Sequence, residues 1–296
     1  MPEKGAAAVG VIGLGAMGSA FVERLVRSGH TVVGFDTSPE AMLRHAELGG
    51  LPADSAAEVA RHCGIVITSL ATVAAVREVV DAIATVDRPE PGWVVDTNTL
   101  SPEEKSRARD ALVRSGWRML DCAVSGHPNM LLAGTATFYI SGRDTTHPQV
   151  DVALSALAED YVDLGDFGNA AIAKLVINHL VICHDAATAE AMSLAAKAGM
   201  SRKAAYDAIV GSAGSSRIFE IRGRMMVDRD YPKGTMYDLI VDKDGPLIAE
   251  MARRQRRAVP LFAAAYQTHV DAMGKGWDGT DPATIVEMLD GNLPPQ

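Results

Sequence analysis

Short apolar segments alternate with helical patterns in the first half of the chain. Six runs have the length and apolar character of buried strands: residues 8–12, 31–35, 65–68, 93–96, 117–120 and 137–140. Helix start signals lie between most of them, as where Glu58 follows Ser55, or where Pro102 and Glu104 follow Ser101. Strands that alternate with helices predict βαβ units around a mostly parallel sheet.

The pattern changes beyond about residue 166. Residues 170–197 predict one long helix rich in Ala and Leu, and no strand alternation returns after it. Later segments with a helical period are 203–210, 247–257, 261–273 and 282–289. We therefore predict an α/β protein: a doubly wound Rossmann-type domain, residues 1–165, then an all-helical domain, residues 166–296.

Length and charge narrow the class of protein further. A chain of 296 residues suits two domains, and its net charge of −9 argues against nucleic acid or an anionic membrane as the main partner. No apolar stretch reaches the roughly 20 residues of a membrane span. The three cysteines are far apart, so we predict no metal site, no disulfide framework and a cytoplasmic location.

A glycine-rich turn separates the first predicted strand from the first helix. It has the pattern G-x-G-x-x-G and consists of Gly13, Leu14, Gly15, Ala16, Met17 and Gly18. Gly13 permits a tight turn, Gly15 lets a pyrophosphate approach the backbone, and Gly18 allows close packing of the helix. Because the helix N-terminus also attracts phosphate charge, this context predicts a dinucleotide site.

An acidic residue, Asp36, ends the second predicted strand. An acid about 20 residues past the glycines is where the adenosine ribose hydroxyls bind in such folds. Its carboxylate would repel a 2′-phosphate, so we predict NAD as the cofactor in preference to NADP.

Polar groups stand out in three further segments. Residues 121–126 follow a strand, at the sheet edge where open α/β sheets bind ligands. Lys174 and Asn178 are four residues apart on the long predicted helix and share one face. If that otherwise apolar face is packed, burial would lower the pKa of Lys174. Residues 242–244 form a polar break before a later helix.

Together these motifs resemble the β-hydroxyacid dehydrogenases, the family that contains 3-hydroxyisobutyrate dehydrogenase, across nearly the whole chain. The opening G-L-G-x-M-G of the family matches residues 13–18, and its D-x-P-V-S-G segment matches residues 121–126 except at Ala123. Further matches are Asp96, Thr99 and Pro102, then Gly168, Lys174 and Asn178, then Lys243 and Asp244.

The resemblance implies a role for each matching residue. Lys174 would be the general acid/base, and Asn178 would orient the reacting hydroxyl. Ser125 and Gly126 would hold the substrate carboxylate, while Lys243 would approach the substrate or the nicotinamide. The implied activity is hydride transfer between a small 3-hydroxy or sugar acid and the nicotinamide of NAD, by a homodimer or homotetramer. The helical domain, residues 166–296, would then serve substrate binding and oligomerisation.

The resemblance is less specific about the roles of some further positions. Thr99 would lie along the cofactor. His127 and His179 stand beside the motifs, where the family has other residues, and are either substrate contacts or structural histidines. Residues 211–220 resemble the substrate loop of the subgroup acting on four-carbon sugar acids, such as L-threonate dehydrogenase. Within this loop, Arg217 would either pair with an anionic group of the substrate or point to solvent.

Two alternative functions remain. The first is an NADPH-linked reductase of small aldehydes or imines on the same fold, which Asp36 and Lys174 disfavour. The second is a non-catalytic NAD-binding sensor, in which Lys174, Asn178 and the pair Ser125 and Gly126 would have no reason to occur together.

Overall fold

The computed structural model describes residues 8–143, 148–158, 160–234 and 236–294. Its strands are β1 (Val9–Ile12), β2 (Val32–Phe35), β3 (Leu51–Pro52), β4 (Ile65–Thr68), β5 (Trp93–Asp96), β6 (Arg118–Ser125), β7 (Thr137–Ser141) and β8 (Tyr161–Asp163). Its α-helices are α1 (Ala16–Arg27), α2 (Pro39–Glu47), α3 (Ala56–His62), α4 (Val73–Ala84), α5 (Pro102–Arg114), α6 (Pro128–Leu132), α7 (Pro148–Leu157), α8 (Asn169–Lys197), α9 (Arg202–Val210), α10 (Arg224–Asp228), α11 (Met236–Asp238), α12 (Gly245–Arg254), α13 (Pro260–Gly274) and α14 (Ile285–Leu289). Two π-helical segments, Phe219–Gly223 and Leu239–Asp244, and a 3-10 turn, Pro282–Thr284, complete them.

All eight strands form one sheet in the order β3-β2-β1-β4-β5-β6-β7-β8. Every neighbouring pair is parallel except β6 and β7, so the predicted mostly parallel, doubly wound sheet is confirmed. The two strands absent from the prediction, β3 and β8, are two and three residues long and lie at the sheet edges.

The strands supply apolar side chains to both faces of the sheet. In β4, Ile65 and Ile67 belong to one core and Val66 to the other, as the two-residue period of a strand requires. Helices α1, α6 and α7 pack on the first core, and α3, α4 and α5 pack on the second. Burial on both faces explains why these strands appear in the sequence as continuous apolar runs.

The chain divides into two compact units between Lys174 and Leu175, inside α8. The predicted domain boundary at 165/166 remains a prediction. In the second unit, every regular element of the described residues is helical, apart from one isolated bridge between Lys233 and Thr280.

The long helix α8 corrects one expectation from the sequence. Its 29 residues are long and apolar enough to cross a membrane by length and composition, a criterion that core helices of soluble proteins also meet. Within the second unit, α8 buries Asp185, which forms an ion pair with the buried Arg222. A buried ion pair is what a helix packed inside a protein core can accommodate.

Near the end of the chain, a buried carboxylate connects α14 to α9. Glu287 accepts hydrogen bonds from Arg202 and Tyr231, each at 2.6 Å, and its side chain is only 8% exposed. Burial alone would raise the pKa of Glu287, but the hydrogen bonds from Arg202 and Tyr231 outweigh it and lower the pKa to about 2.

We therefore expect the second unit to lose stability in acid. A lowered pKa contributes stability that is complete above the ordinary value of 4.5 and is lost as the pH falls toward about 2. The expected loss is about 2–3 kcal/mol in the free energy of unfolding. Urea denaturation of the wild type and of Glu287→Gln between pH 6 and pH 3 measures it. A pH dependence that is as steep in Glu287→Gln as in the wild type would exclude this assignment.

Candidate active site

The glycine-rich turn has the backbone geometry that a dinucleotide loop requires. Gly13 has a φ of +88°, and a Cβ there would lie 2.1 Å from the carbonyl oxygen of Ser69. A Cβ on Gly18 would lie 1.8 Å from the carbonyl oxygen of Gly13. A Cβ on Gly15, in contrast, would meet nothing within 4 Å. The loop is thus closely packed at its two outer glycines and open at the middle one, where a pyrophosphate has room to approach.

Asp36 is fixed against this loop by the backbone. Its two carboxylate oxygens accept hydrogen bonds from the backbone N–H groups of Leu14 at 2.6 Å and Ser38 at 2.8 Å. A carboxylate offers about four acceptor positions, so two remain for other donors, such as ribose hydroxyls. The residues of this edge therefore fit the dinucleotide that the sequence predicted.

The beginning of α8 is held by side chains from the neighbouring strands. Ser141, at the end of β7, accepts hydrogen bonds at Oγ from the backbone N–H groups of Gly168 at 3.2 Å and Ala170 at 3.0 Å. Asp121 of β6 accepts hydrogen bonds from the backbone N–H of Ala171 at 2.9 Å and from the hydroxyl of Ser141 at 3.1 Å. Both side chains are fully buried. They satisfy donors at the helix start that would otherwise lack partners inside the protein.

Beneath this helix start lies a buried cation that the sequence reading missed. Lys105 of α5 is fully buried, and its ammonium lies 2.9 Å from Asp121 and 2.6 Å from Asp96. Asp96 and Asp121 are register partners on the parallel strands β5 and β6. Burial disfavours the charged amine, but the two carboxylates outweigh that effect and raise the pKa of Lys105. The cation therefore bridges two carboxylates that would otherwise repel each other.

The predicted acid/base residue, Lys174, is half-buried on α8, and Asn178 lies one turn further along the same helix. In the second unit, the Asn178 amide donates a hydrogen bond of 2.7 Å to Asp244. Asp244 and Lys243 end the π-helical segment that leads into α12. π-Helical turns occur often at functional sites. The hydrogen bond to Asp244 gives Asn178 a defined orientation.

The remaining predicted residues of the first unit lie at ends of strands. Ser125 ends β6 half-buried, and Gly126 follows it exposed, with a φ of +144°. His127 is exposed at the start of α6, which it does not cap with its side chain. Thr99 is half-buried in the loop after β5. Because β5 and β6 are parallel neighbours, these segments follow the same edge of the sheet.

Two predicted residues of the second unit have protein partners. The His179 ring stacks on Phe262, with 5.3 Å between ring centroids. Arg217 is 79% exposed and forms an ion pair of 2.8 Å with Glu220. Near Arg217, residues 213–216 border a cleft of about 260 Å³ against His184 and Thr188 of α8. Contact between these residues and a substrate remains a prediction.

Comparisons with known proteins agree with this architecture. Residues 8–165 match the family model described as the NAD binding domain of 6-phosphogluconate dehydrogenase. Residues 168–289 match the model described as "NAD-binding of NADP-dependent 3-hydroxyisobutyrate dehydrogenase". The chain is 33% identical to an L-threonate dehydrogenase of Cupriavidus necator over 286 residues, which cover 96% of each protein.

The chain belongs to the β-hydroxyacid dehydrogenase family. It is a hydroxyacid dehydrogenase with a nicotinamide-dinucleotide domain, as the sequence predicted. Among solved structures, it resembles 3-hydroxyisobutyrate dehydrogenase of Salmonella typhimurium, with a TM-score of 0.81 and 29% identity over 95% of this chain and 99% of that one. The Mycobacterium tuberculosis enzyme, solved with L-serine, has a TM-score of 0.88 and 25% identity over 96% and 99%.

Within this dehydrogenase, sequence reasoning found the motif residues but not their supports. Asp121 and Asp96 were recognised only as motif positions, and Ser141 and Lys105 were not recognised at all. Lys105 lies in the highly charged segment 102–110, which reads as a solvated helix face. A signal for this cation was that an aspartate ends the apolar run of β5 and another interrupts the apolar centre of β6.

Proposed function

We propose that this dehydrogenase oxidises a small 3-hydroxy or sugar acid with NAD⁺, with Lys174 as the general acid/base. The observation that carries the proposal is the pair formed by Lys174 and Asn178, one turn apart on α8, with Asn178 oriented by Asp244. An amine and an oriented amide on one helix face can bind the same hydroxyl group. The family to which the chain belongs supports the same reaction.

In the proposed mechanism, the chain binds and deprotonates the substrate. Ser125 and the backbone at Gly126 hold its carboxylate, and Asn178 orients its hydroxyl. Neutral Lys174 accepts the hydroxyl proton during oxidation and returns it during reduction. General acid–base assistance of this kind contributes about 10²–10⁴-fold to the rate. The nicotinamide, when bound, supplies the redox chemistry of the hydride.

We propose NAD rather than NADP as the cofactor because of Asp36. Its carboxylate is held at the glycine-rich loop by two backbone N–H groups and keeps free acceptor positions. Ribose hydroxyls can donate to these positions, whereas a 2′-phosphate placed beside the same carboxylate would be repelled.

Asp36→Ser tests this choice of cofactor. We expect the ratio of kcat/KM for NAD⁺ to that for NADP⁺ to fall by about 10- to 100-fold, because a charge-assisted hydrogen bond and a repulsive charge are both lost. Steady-state kinetics with each cofactor measures the ratio. Glu40→Gln, which removes an exposed carboxylate of α2, is the control and should leave the ratio unaltered. An unaltered ratio in Asp36→Ser would rule out the proposed role.

For the substrate, we propose a polar hydroxy acid of the L-threonate type. The similarity to L-threonate dehydrogenase over 96% of both chains supports it, as do the hydroxyl-rich and basic residues of the loop 211–217. With a substrate that carries a second anionic group, Arg217 would exchange its partner Glu220 for that group. We also propose that the enzyme is located in the cytoplasm and that it assembles as a homodimer or homotetramer.

The decisive experiment is a turnover assay on a panel of hydroxy acids. L-Threonate, 3-hydroxyisobutyrate, glycerate and L-serine are each incubated with NAD⁺ and, separately, NADP⁺ while absorbance of the reduced nicotinamide is followed. We expect turnover with NAD⁺, fastest on L-threonate. Turnover only with 3-hydroxyisobutyrate would overturn the substrate class. Tight NAD⁺ binding without turnover on any acid would favour the non-catalytic sensor instead.

A further inference from the structure

The buried side chains that hold the start of α8 have a geometry suited to positioning the residue that follows them. We propose that Ser141 and Asp121, the latter held by Lys105, are positioning residues that set the location of the Lys174 amine. This inference rests on the proposed function, because it requires Lys174 to be the acid/base.

Two acceptors that are linked to each other, Ser141 and Asp121, hold the first turn of α8. Ser141 accepts hydrogen bonds from the N–H groups of Gly168 and Ala170, and Asp121 accepts one from the N–H of Ala171. Both acceptors are fully buried, so water cannot replace them if they are removed. Lys174 projects from the next turn, four residues after Ala170. A tilt or a shift of the first turn therefore moves the Lys174 side chain.

The two acceptors are themselves immobilised. One Asp121 oxygen accepts from Ser141 and Ala171, while the other lies 2.9 Å from the Lys105 ammonium. Lys105 is also held by Asp96, through the carboxylate at 2.6 Å and the backbone carbonyl at 3.0 Å. The helix start is thus connected through charged groups to β5, β6 and α5. Catalytic groups need this rigidity because an error of about 1 Å can cost roughly 10²-fold in rate.

If Ser141 and Asp121 only capped the helix, they would form the same hydrogen bonds. Their variants would then show different kinetics from those expected for a positioning role. A lost cap lowers the fraction of folded enzyme, and the remaining molecules keep their KM and their isotope effect. A displaced Lys174, in contrast, slows proton transfer in every molecule. It therefore lowers kcat and raises the solvent isotope effect, while binding of NAD⁺ at the glycine-rich loop is unaltered.

Ser141→Ala in the full-length enzyme tests the proposal. We expect kcat to fall by about 10- to 100-fold, a larger solvent isotope effect on kcat, and the same Kd for NAD⁺. Ser155→Ala, which removes an exposed hydroxyl on α7, is the matched control. If Ser141→Ala does not fold, Asp121→Asn carries the test with the same expected results, because it keeps an oxygen near the Ala171 N–H but loses the charge that pairs with Lys105. A wild-type kcat, or a reduced kcat with an unaltered isotope effect, would overturn the proposal.

A double-mutant cycle separates this inference from the proposed function. In the Lys174→Ala background, Ser141→Ala should lower the residual turnover by less than 2-fold, because the group it positions is gone. An undiminished effect in that background would overturn the positioning role and leave the proposed function intact. Full activity of Lys174→Ala alone would instead refute the proposed function, and this inference with it.

Discussion

Replacement of Lys174 by alanine is expected to lower kcat by about 10²–10⁴-fold, while NAD⁺ still binds with its normal Kd. The physical reason is that the amine would act only on the hydroxyl proton. The dinucleotide loop and Asp36 lie on separate segments of the first unit, where the backbone N–H groups of Leu14 and Ser38 hold the Asp36 carboxylate. Steady-state kinetics and a direct titration with NAD⁺ measure the two quantities.

The matched control for this prediction is Lys197→Ala at the other end of the same helix. Lys197 is exposed and lies in the last turn of α8, so its loss should leave turnover within about 2-fold of the wild type. If Lys174→Ala turned over at a near-normal rate, another group would have to move the proton.

The second large effect is expected on stability. Lys105→Met should reduce the free energy of unfolding by about 3–5 kcal/mol, because it leaves Asp96 and Asp121 buried without their cation. The pKa of Lys105 is raised by these two carboxylates, so the ion pair contributes below pH 10.5 and is lost only as the pH rises above that value. Urea denaturation at neutral pH, followed by tryptophan fluorescence, measures the change.

Arg107→Met provides the comparison on the same helix. Arg107 is 69% exposed and pairs with Glu104 at the surface, so its loss should cost no more than about 1 kcal/mol. The double variant Lys105→Met/Asp121→Asn should recover part of the stability that Lys105→Met loses, since one of the two uncompensated charges is removed. Equal stability of Lys105→Met and Arg107→Met would show that the buried cation is dispensable.

The central strands were predictable because burial on both faces leaves a continuous apolar run. β4 and β5 have the predicted bounds, whereas β6 continues five residues beyond its prediction, to Ser125. The extension contains Asp121, whose charge interrupts the apolar pattern and becomes acceptable in a strand only through Lys105. The edge strand β3 is two residues long and exposed, so it has no period to detect.

In the candidate site, too, features set by neighbouring residues could be predicted, whereas contacts between residues far apart in the sequence could not. The spacing of Lys174 and Asn178 on one helix face is local and was readable from the sequence. The partner of Asn178, Asp244, is 66 residues away, and its hydrogen bond depends on tertiary folding. The role of Lys105 could not be predicted because a lysine among charged neighbours is usually solvated. Its burial follows from the pairing of β5 with β6, which brings Asp96 and Asp121 together.

The double use of Asp36 has an evolutionary consequence. The carboxylate that would select the cofactor also accepts the backbone N–H of Leu14 within the glycine-rich loop. A descendant that exchanged Asp36 for a basic residue to use NADP would leave this N–H without its side-chain acceptor. It would then need a compensating acceptor nearby. Changes to NADP through a basic residue at position 36 should therefore be accompanied by a second substitution that supplies an acceptor for the Leu14 N–H.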